Sequence, residues 1–145
     1  MSTVSKKKPS TKKSITKVVV PAELWENKPD NHDYPAALSY LRLLTSPEKA
    51  QSLVDDLSKA PIELHPVKDI LRSTGLPLLP VNDPAVQRNM SKIQAGLKLS
   101  PVLILRGDFQ KGVAAVIADG YHRVCVSYHL SENEPVPCRI ADGVK

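Results

Sequence analysis

Apolar residues recur along this chain at two spacings, and the change from one to the other organises it. Over 35–58 they fall three and four apart: Ala37, Leu38, Leu41 and Leu44, then Ala50, Leu53, Val54 and Leu57. That spacing gathers each set on one face of a helix. Pro35 suits a first helical position, and Ser46 followed by Pro47 makes an N-cap and first-turn pair. The prediction is a helical hairpin whose apolar faces must cover something. They either pack on the domain's own sheet or form a homodimer or protein-partner surface.

From Pro61 the pattern changes. Ile62, Leu64 and Val67 read as a strand leading into Asp69-Ile70-Leu71. Gly75, Pro77 and Pro80 make 73–82 a loop. Asp83 and Pro84 open a helix with Val86, Met90, Ile93 and Leu97 as its buried stripe and Gly96 as its stop. A strongly apolar strand follows at 101–106, then a turn at 107–112 and a second apolar strand at 113–118, predicted to pair as a hairpin. Residues 121–130 are helical, with Tyr121, Val124, Cys125 and Tyr128 on one face. A short strand at 135–140 closes the pattern, and its prolines favour an edge position. No internal repeat is visible. The expected fold is a small mixed β-sheet with packed helices, of α/β (α+β) class, preceded by a short helical extension.

Composition sharpens the division. The chain has 145 residues, long enough for one domain with its own core. One Trp, four Tyr and one Phe leave that core mostly to Leu, Val, Ile and Ala. The formal charge of +5 is unevenly placed: Lys6, Lys7, Lys8, Lys12, Lys13 and Lys17 precede the first acid, Glu23. Setting those six aside leaves 14 basic and 15 acidic residues, a net charge of −1. The chain therefore divides into a basic, disordered tail (1–18), an arm and helical hairpin (19–60) and a main domain (61–145). Within the arm, 17–20 is a short strand or extended, and 21–34, with Trp25, is ordered but irregular. The lysine tail serves solubility or contacts nucleic-acid phosphates, including DNA.

No apolar run approaches a membrane span, and no apolar segment follows the N-terminal lysines as in a secretory signal. A cytoplasmic, bacterial-type protein is the expectation. Cys125 and Cys138 lack metal-ligand spacing and a disulfide framework, so reduced, mostly buried thiols are expected.

The chemistry concentrates where the strand before Asp119-Gly120 meets the helix after it. The first amides of a helix have no intrahelical acceptor and sit at the positive end of its dipole, which suits an anion. Gly120 leaves room for close backbone approach and a positive φ. His122 and Arg123 lie off the apolar face and are expected to reach over the helix start, the arginine as a bidentate fork. Asp119 is a candidate cap, His122-orienting group or magnesium ligand among phosphate oxygens. Lys98 and Ser100, just before the first hairpin strand, are further phosphate candidates, with Lys92 and Arg88 secondary to them. His65, Asp69 and Arg72 flank the first strand, and Asp69 is a candidate acid or base. The catalytic candidates are thus His122, Asp119 and Asp69. The phosphate-binding set is Gly120, Tyr121, His122, Arg123, Ser100 and Lys98. Arg123→Ala is expected to abolish binding while leaving the fold intact.

The run Val116-Ile117-Ala118-Asp119-Gly120-Tyr121-His122-Arg123 resembles the strand–signature–helix of the ParB/sulfiredoxin-like superfamily. The strand Pro101-Val102-Leu103-Ile104-Leu105 and the closing Val136-Pro137-Cys138-Arg139-Ile140 fit the same pattern. Ile62-Glu63-Leu64-His65-Pro66-Val67 looks like the first strand, so the likeness covers roughly 61–141. It implies a signature that holds nucleotide phosphates, with ATP or CTP and Mg2+ as cofactors. Sulfiredoxins carry a cysteine where Tyr121 stands, which argues against their thiol chemistry. No helical DNA-reading domain of the partition proteins follows residue 145, which argues against a full partition clamp. The Asp-Gly-x-His-Arg form looks closer to nucleotide-dependent kinases of the superfamily. The resemblance implies an ATP/CTP-dependent phosphotransferase or NTPase. The alternatives are a non-catalytic, nucleotide-responsive regulatory or DNA-binding module, or a ParB-like nuclease.

Overall fold

The computed structural model describes residues 23–143. The basic tail at 1–18 and the 17–20 segment lie outside the described residues. The elements run α1 (Asp33–Leu41), α2 (Pro47–Lys59), β1 (Ile62–Pro66), α3 (Val67–Thr74), α4 (Pro84–Gln94), β2 (Val102–Arg106), β3 (Val116–Asp119), α5 (Tyr121–Leu130) and β4 (Pro135–Asp142). The four strands form one mixed sheet in the order β1-β4-β2-β3. β4 is antiparallel to β1 and parallel to β2, and β2 and β3 form the expected antiparallel hairpin.

Strand residues alternate between faces, and each face has its own cover. Leu103, Leu105, Ala118 and Ala141 point to one side, where they meet Ala37 and Leu41 of α1 and Ala50, Leu53, Val54 and Leu57 of α2. The helical hairpin's apolar stripe is therefore buried on the chain's own sheet. Val102, Ile104, Ile117, Val136 and Cys138 point to the other side, against α3, α4 and α5. Trp25, from the arm, is buried in this second cluster and bridges in parallel to Leu99.

The helix ends follow their capping chemistry. Ser46 Oγ accepts from Lys49 N, and Pro47 occupies the first turn of α2. Asp83 accepts from the amides of Ala85 and Val86 at the start of α4. Gly96, at φ +82°, follows that helix's C-cap, Ala95.

The structure departs from the sequence pattern at five points. The segment after β1 is helical: Val67, Ile70 and Leu71, at i, i+3 and i+4, are the buried face of α3 rather than the end of a strand. The strand expected at 113–118 begins only at Val116, after a 3-10 turn at Phe109–Lys111 and a bridge between Asp108 and Val113. β4 lies inside the sheet, not at its edge. Its pairing with β2 starts at Cys138, past Pro135 and Pro137, so the missing amides cost that ladder nothing. α1 starts at Asp33, two residues before the expected Pro35. Finally, Leu44 and Leu97 are exposed and fall outside their stripes.

Candidate functional site

β3 ends at Asp119 and α5 begins at Tyr121, so Gly120 alone makes the reversal. It is the N-cap of α5, in the left-handed region at φ +113° and ψ +16°, and no side chain caps the helix. Asp119 is therefore not the cap. A Cβ on Gly120 would lie 2.9 Å from Arg123 Nη2 and 3.1 and 3.2 Å from the two methyl groups of Val102. Glycine is required here both for the backbone and for the arginine that folds beneath it. The first intrahelical bond runs from Val124 N to Gly120 O at 3.0 Å, so the preceding amides of Tyr121, His122 and Arg123 lie outside the helical ladder.

Arg123 turns inward rather than over the helix start. Its Nη2 donates to Asp119 Oδ2 at 3.1 Å and to the carbonyl of Pro101 at 3.3 Å. Its Nη1 lies 3.7 Å from Asp33 Oδ1. The side chain is only 16% exposed and that of Asp33 only 2%. Nε of Arg123 is buried and has no hydrogen-bond partner. Asp33 is the hub of this cluster. Its Oδ2 accepts from the hydroxyl of Ser100 at 2.7 Å and from Asp30 N at 3.1 Å. Two carboxylates thus share one guanidinium. Burial is the main influence on Asp119 and lifts its carboxyl to about 6. Arg123 acts in the opposite direction, and the neighbouring Asp33 adds to the rise.

His122 points the other way. It is exposed, makes no hydrogen bond or ion pair among the described residues, and rests its ring against Tyr121 with centroids 5.6 Å apart. The hydroxyl of Tyr121 donates to the carbonyl of Pro77, which ties the 75–82 loop to the first side chain of α5. His129 makes a second tie, Nε2 to the Leu79 carbonyl at 2.7 Å.

The structure therefore joins only part of the expected site. Ser100, Asp119, Gly120 and Arg123 come together, but around Asp33 rather than around an open anion position. His122 and Arg123 are splayed, one outward and one inward, and do not form the joint grip expected of them. Lys98 is exposed and makes no hydrogen bond or ion pair among the described residues. Asp69 sits on α3, held by Lys68 and Arg72, each at 3.2 Å. The C-terminal end of α3 touches the far end of β3, where Ala115 N donates to the carbonyl of Ser73. Asp69 is thus separated from His122 and Asp119 by the length of that strand. Loss of Arg123 would leave Asp33 and Asp119 facing each other without their cation. Arg123→Ala is therefore expected to cost stability as well as any binding, by up to about 3–5 kcal/mol, the range for breaking a buried pair.

Asp119 does not suit magnesium, because its Oδ2 faces a guanidinium that would repel a cation. The group with metal-like spacing among the described residues is Asp30, His32 and Asp33, whose donor atoms lie within 4.8 Å of one another. It surrounds the start of α1, where the helix dipole opposes a cation. Both cysteines are buried and unpaired, and burial pushes both thiols up, away from nucleophilic use.

Asp33 escaped the sequence reading. It lies 86 residues before Asp119, in a stretch that reads as an irregular arm, and no spacing connects the two. No helix among the described residues is long and apolar enough to cross a membrane. Comparison with protein-family models, curated proteins and solved structures found no match.

Proposed function

We propose that the protein binds the phosphate of a nucleotide, ATP or CTP, at the first turn of α5. The observation that carries this reading is the glycine-capped, side-chain-free start of that helix, with His122 as its exposed and uncommitted side chain. Phosphate oxygens would meet the amides of Tyr121 and His122, with the imidazole beside them. Arg123 is not a ligand in this arrangement. It holds the turn in shape by filling the space under Gly120 and anchoring α1 through Asp33. The resemblance to ParB/sulfiredoxin-like proteins, carried by residues 116–123, supports the same turn as a phosphate site.

As an enzyme, the protein would be a phosphotransferase or NTPase in which Asp119, titrating near 6, exchanges a proton close to neutral pH. The second reading, a non-catalytic nucleotide-responsive module, is favoured by a specific observation. Ser100 and Asp119 are already engaged by Asp33 and Arg123, and Asp69 is remote, so the expected catalytic set does not converge. In that module the 1–18 lysines would contact DNA. A nuclease using the same tail ranks below both.

Calorimetric titration with ATP and CTP, with and without magnesium, tests the site. Saturable binding is expected, weakened about tenfold or more in His122→Ala, as for loss of one charge-assisted hydrogen bond. Failure of every nucleotide and of pyrophosphate to bind would overturn the reading. Phosphate release on incubation then separates enzyme from module. A salt-dependent DNA affinity that vanishes on deleting 1–18 would assign nucleic-acid contact to the tail.

A further inference from the structure

A second site lies on the α3 side of the sheet, between that helix and the β2–β3 hairpin. Here the helices leave part of the sheet uncovered, and the resulting groove holds about 650 Å³. That is the size range of small-molecule sites. Its floor is apolar, formed by Ile70, Ile104, Ala115 and Ile140. Phe109, on the 3-10 turn at the rim, is 99% exposed, an unusual position for the chain's one phenylalanine.

The polar groups lining the groove are not equally available. Asp69 is held by two cations, Lys68 and Arg72. The hydroxyl of Ser73 donates to the carbonyl of Ile70. His65 engages Glu63 through Nε2 at 3.1 Å. Arg106 spends only Nε on Asp142, at 2.9 Å, and its two terminal nitrogens make no hydrogen bond among the described residues. The uncommitted donors are thus the end of a guanidinium and one imidazole nitrogen; the one acid in the groove's lining is Asp69, already held, while Asp56, Glu63 and Asp142 border Arg106 on the side away from the groove. On β4, Arg106 stands beside Asp142 and His65 beside Val136, six residues or about 20 Å along the strand. One small head group does not reach both. The guanidinium, a planar permanent cation with a free fork, is the better match for a carboxylate.

We propose that this groove binds a small amphipathic carboxylate, with its apolar body on Ile104 and Ile140, its head on Arg106 and Phe109 as a cover. The proposal is independent of the nucleotide reading, because the groove lies at the opposite end of β3 from Gly120.

Titration of the full chain with decanoate, below its aggregation concentration, tests it, with 1-decanol as the uncharged counterpart. Isoleucine methyl resonances are the site readout. Decanoate should give saturable shifts at Ile70, Ile104 and Ile140, with Ile62, Ile93 and Ile117 little changed. Arg106→Gln should weaken decanoate at least tenfold and leave decanol unchanged, and Phe109→Ala should weaken both several-fold. His122→Ala should change neither. Arg106→Lys, which keeps the charge but loses the fork, guards against a folding defect in the glutamine variant and should weaken decanoate by a smaller factor. Absence of saturable shifts, equal affinity for decanoate and decanol, or unchanged decanoate affinity in both Arg106 variants would overturn the proposal.

Discussion

Asp119 is held in a position that its charge does not favour. Burial removes water from the carboxylate, Asp33 stands close with the same charge, and the attraction of Arg123 only partly offsets them. Its carboxyl is ordinary near 3.8 in the unfolded chain and titrates at about 6 in the folded one. Between those values the native state keeps a proton that the unfolded state has released, so proton binding favours folding at the acid end. Stability attributable to this group falls as pH rises from about 4 to about 6, then levels off. Asp119→Asn removes the titration but retains the shape. The difference in unfolding free energy between wild type and variant should therefore change across that window, by about 3 kcal/mol at most. Urea unfolding at a series of pH values measures it. Parallel curves for the two proteins would show that the carboxyl is not perturbed. The same residues bring Gly120 and Arg123 together: a Cβ at position 120 would press on the guanidinium at 2.9 Å, so glycine lets the arginine lie under the turn.

At the scale of the elements, the hairpin between β2 and β3 depends on one small residue. A Cβ on Gly107 would fall 2.2 Å from the Val113 carbonyl oxygen and 2.6 and 2.8 Å from the carbonyl carbon and oxygen of Ala114. These are backbone atoms and cannot rotate aside. Gly107→Ala should destabilise the protein by at least about 1–3 kcal/mol and broaden the signals of Val113 and Ala114. Chemical denaturation and amide spectra would show both effects, and a wild-type midpoint would contradict the close approach. The turn itself was legible from Gly107 and Gly112, although the crossing that demands glycine was not. Legibility followed local chemistry elsewhere too. α2 and α4 were readable because each joins an N-cap, a proline at the first turn and a helical apolar period. α3 was obscured because Val67 also continues the alternation of Ile62 and Leu64, and only the spacing to Ile70 and Leu71 marks the change. The prolines of β4 misled because a missing amide excludes a strand from the interior only where a neighbour needs that amide. Asp33 was invisible for a different reason: its partners are brought together by the packing of α1 on β3, which no local pattern encodes.

At the scale of the whole molecule, the sheet carries a core on each face, and neither core is supplied by residues 61–145 alone. On one face Leu103, Leu105, Ala118 and Ala141 are covered by α1 and α2. On the other, Trp25 enters from the arm and its Glu26 amide bonds to the carbonyl of Leu99. The N-terminal segment also supplies Asp33, the buried carboxylate that faces Ser100 and Arg123. A chain beginning at residue 61 would therefore expose four apolar strand side chains, open the Trp25 position and leave Ser100 without its acceptor. Each loss is of the kind that costs a domain one to several kcal/mol, and small domains have only about 5–15 kcal/mol to lose. The 61–145 fragment should consequently show collapsed amide dispersion, bind a hydrophobic dye and lack the cooperative thermal transition expected of the full chain. A fragment with native-like dispersion and a sharp transition would mean that α1 and α2 decorate an independent domain rather than complete it. The shared cluster of α1, α2, β2, β3 and β4 predicts the opposite.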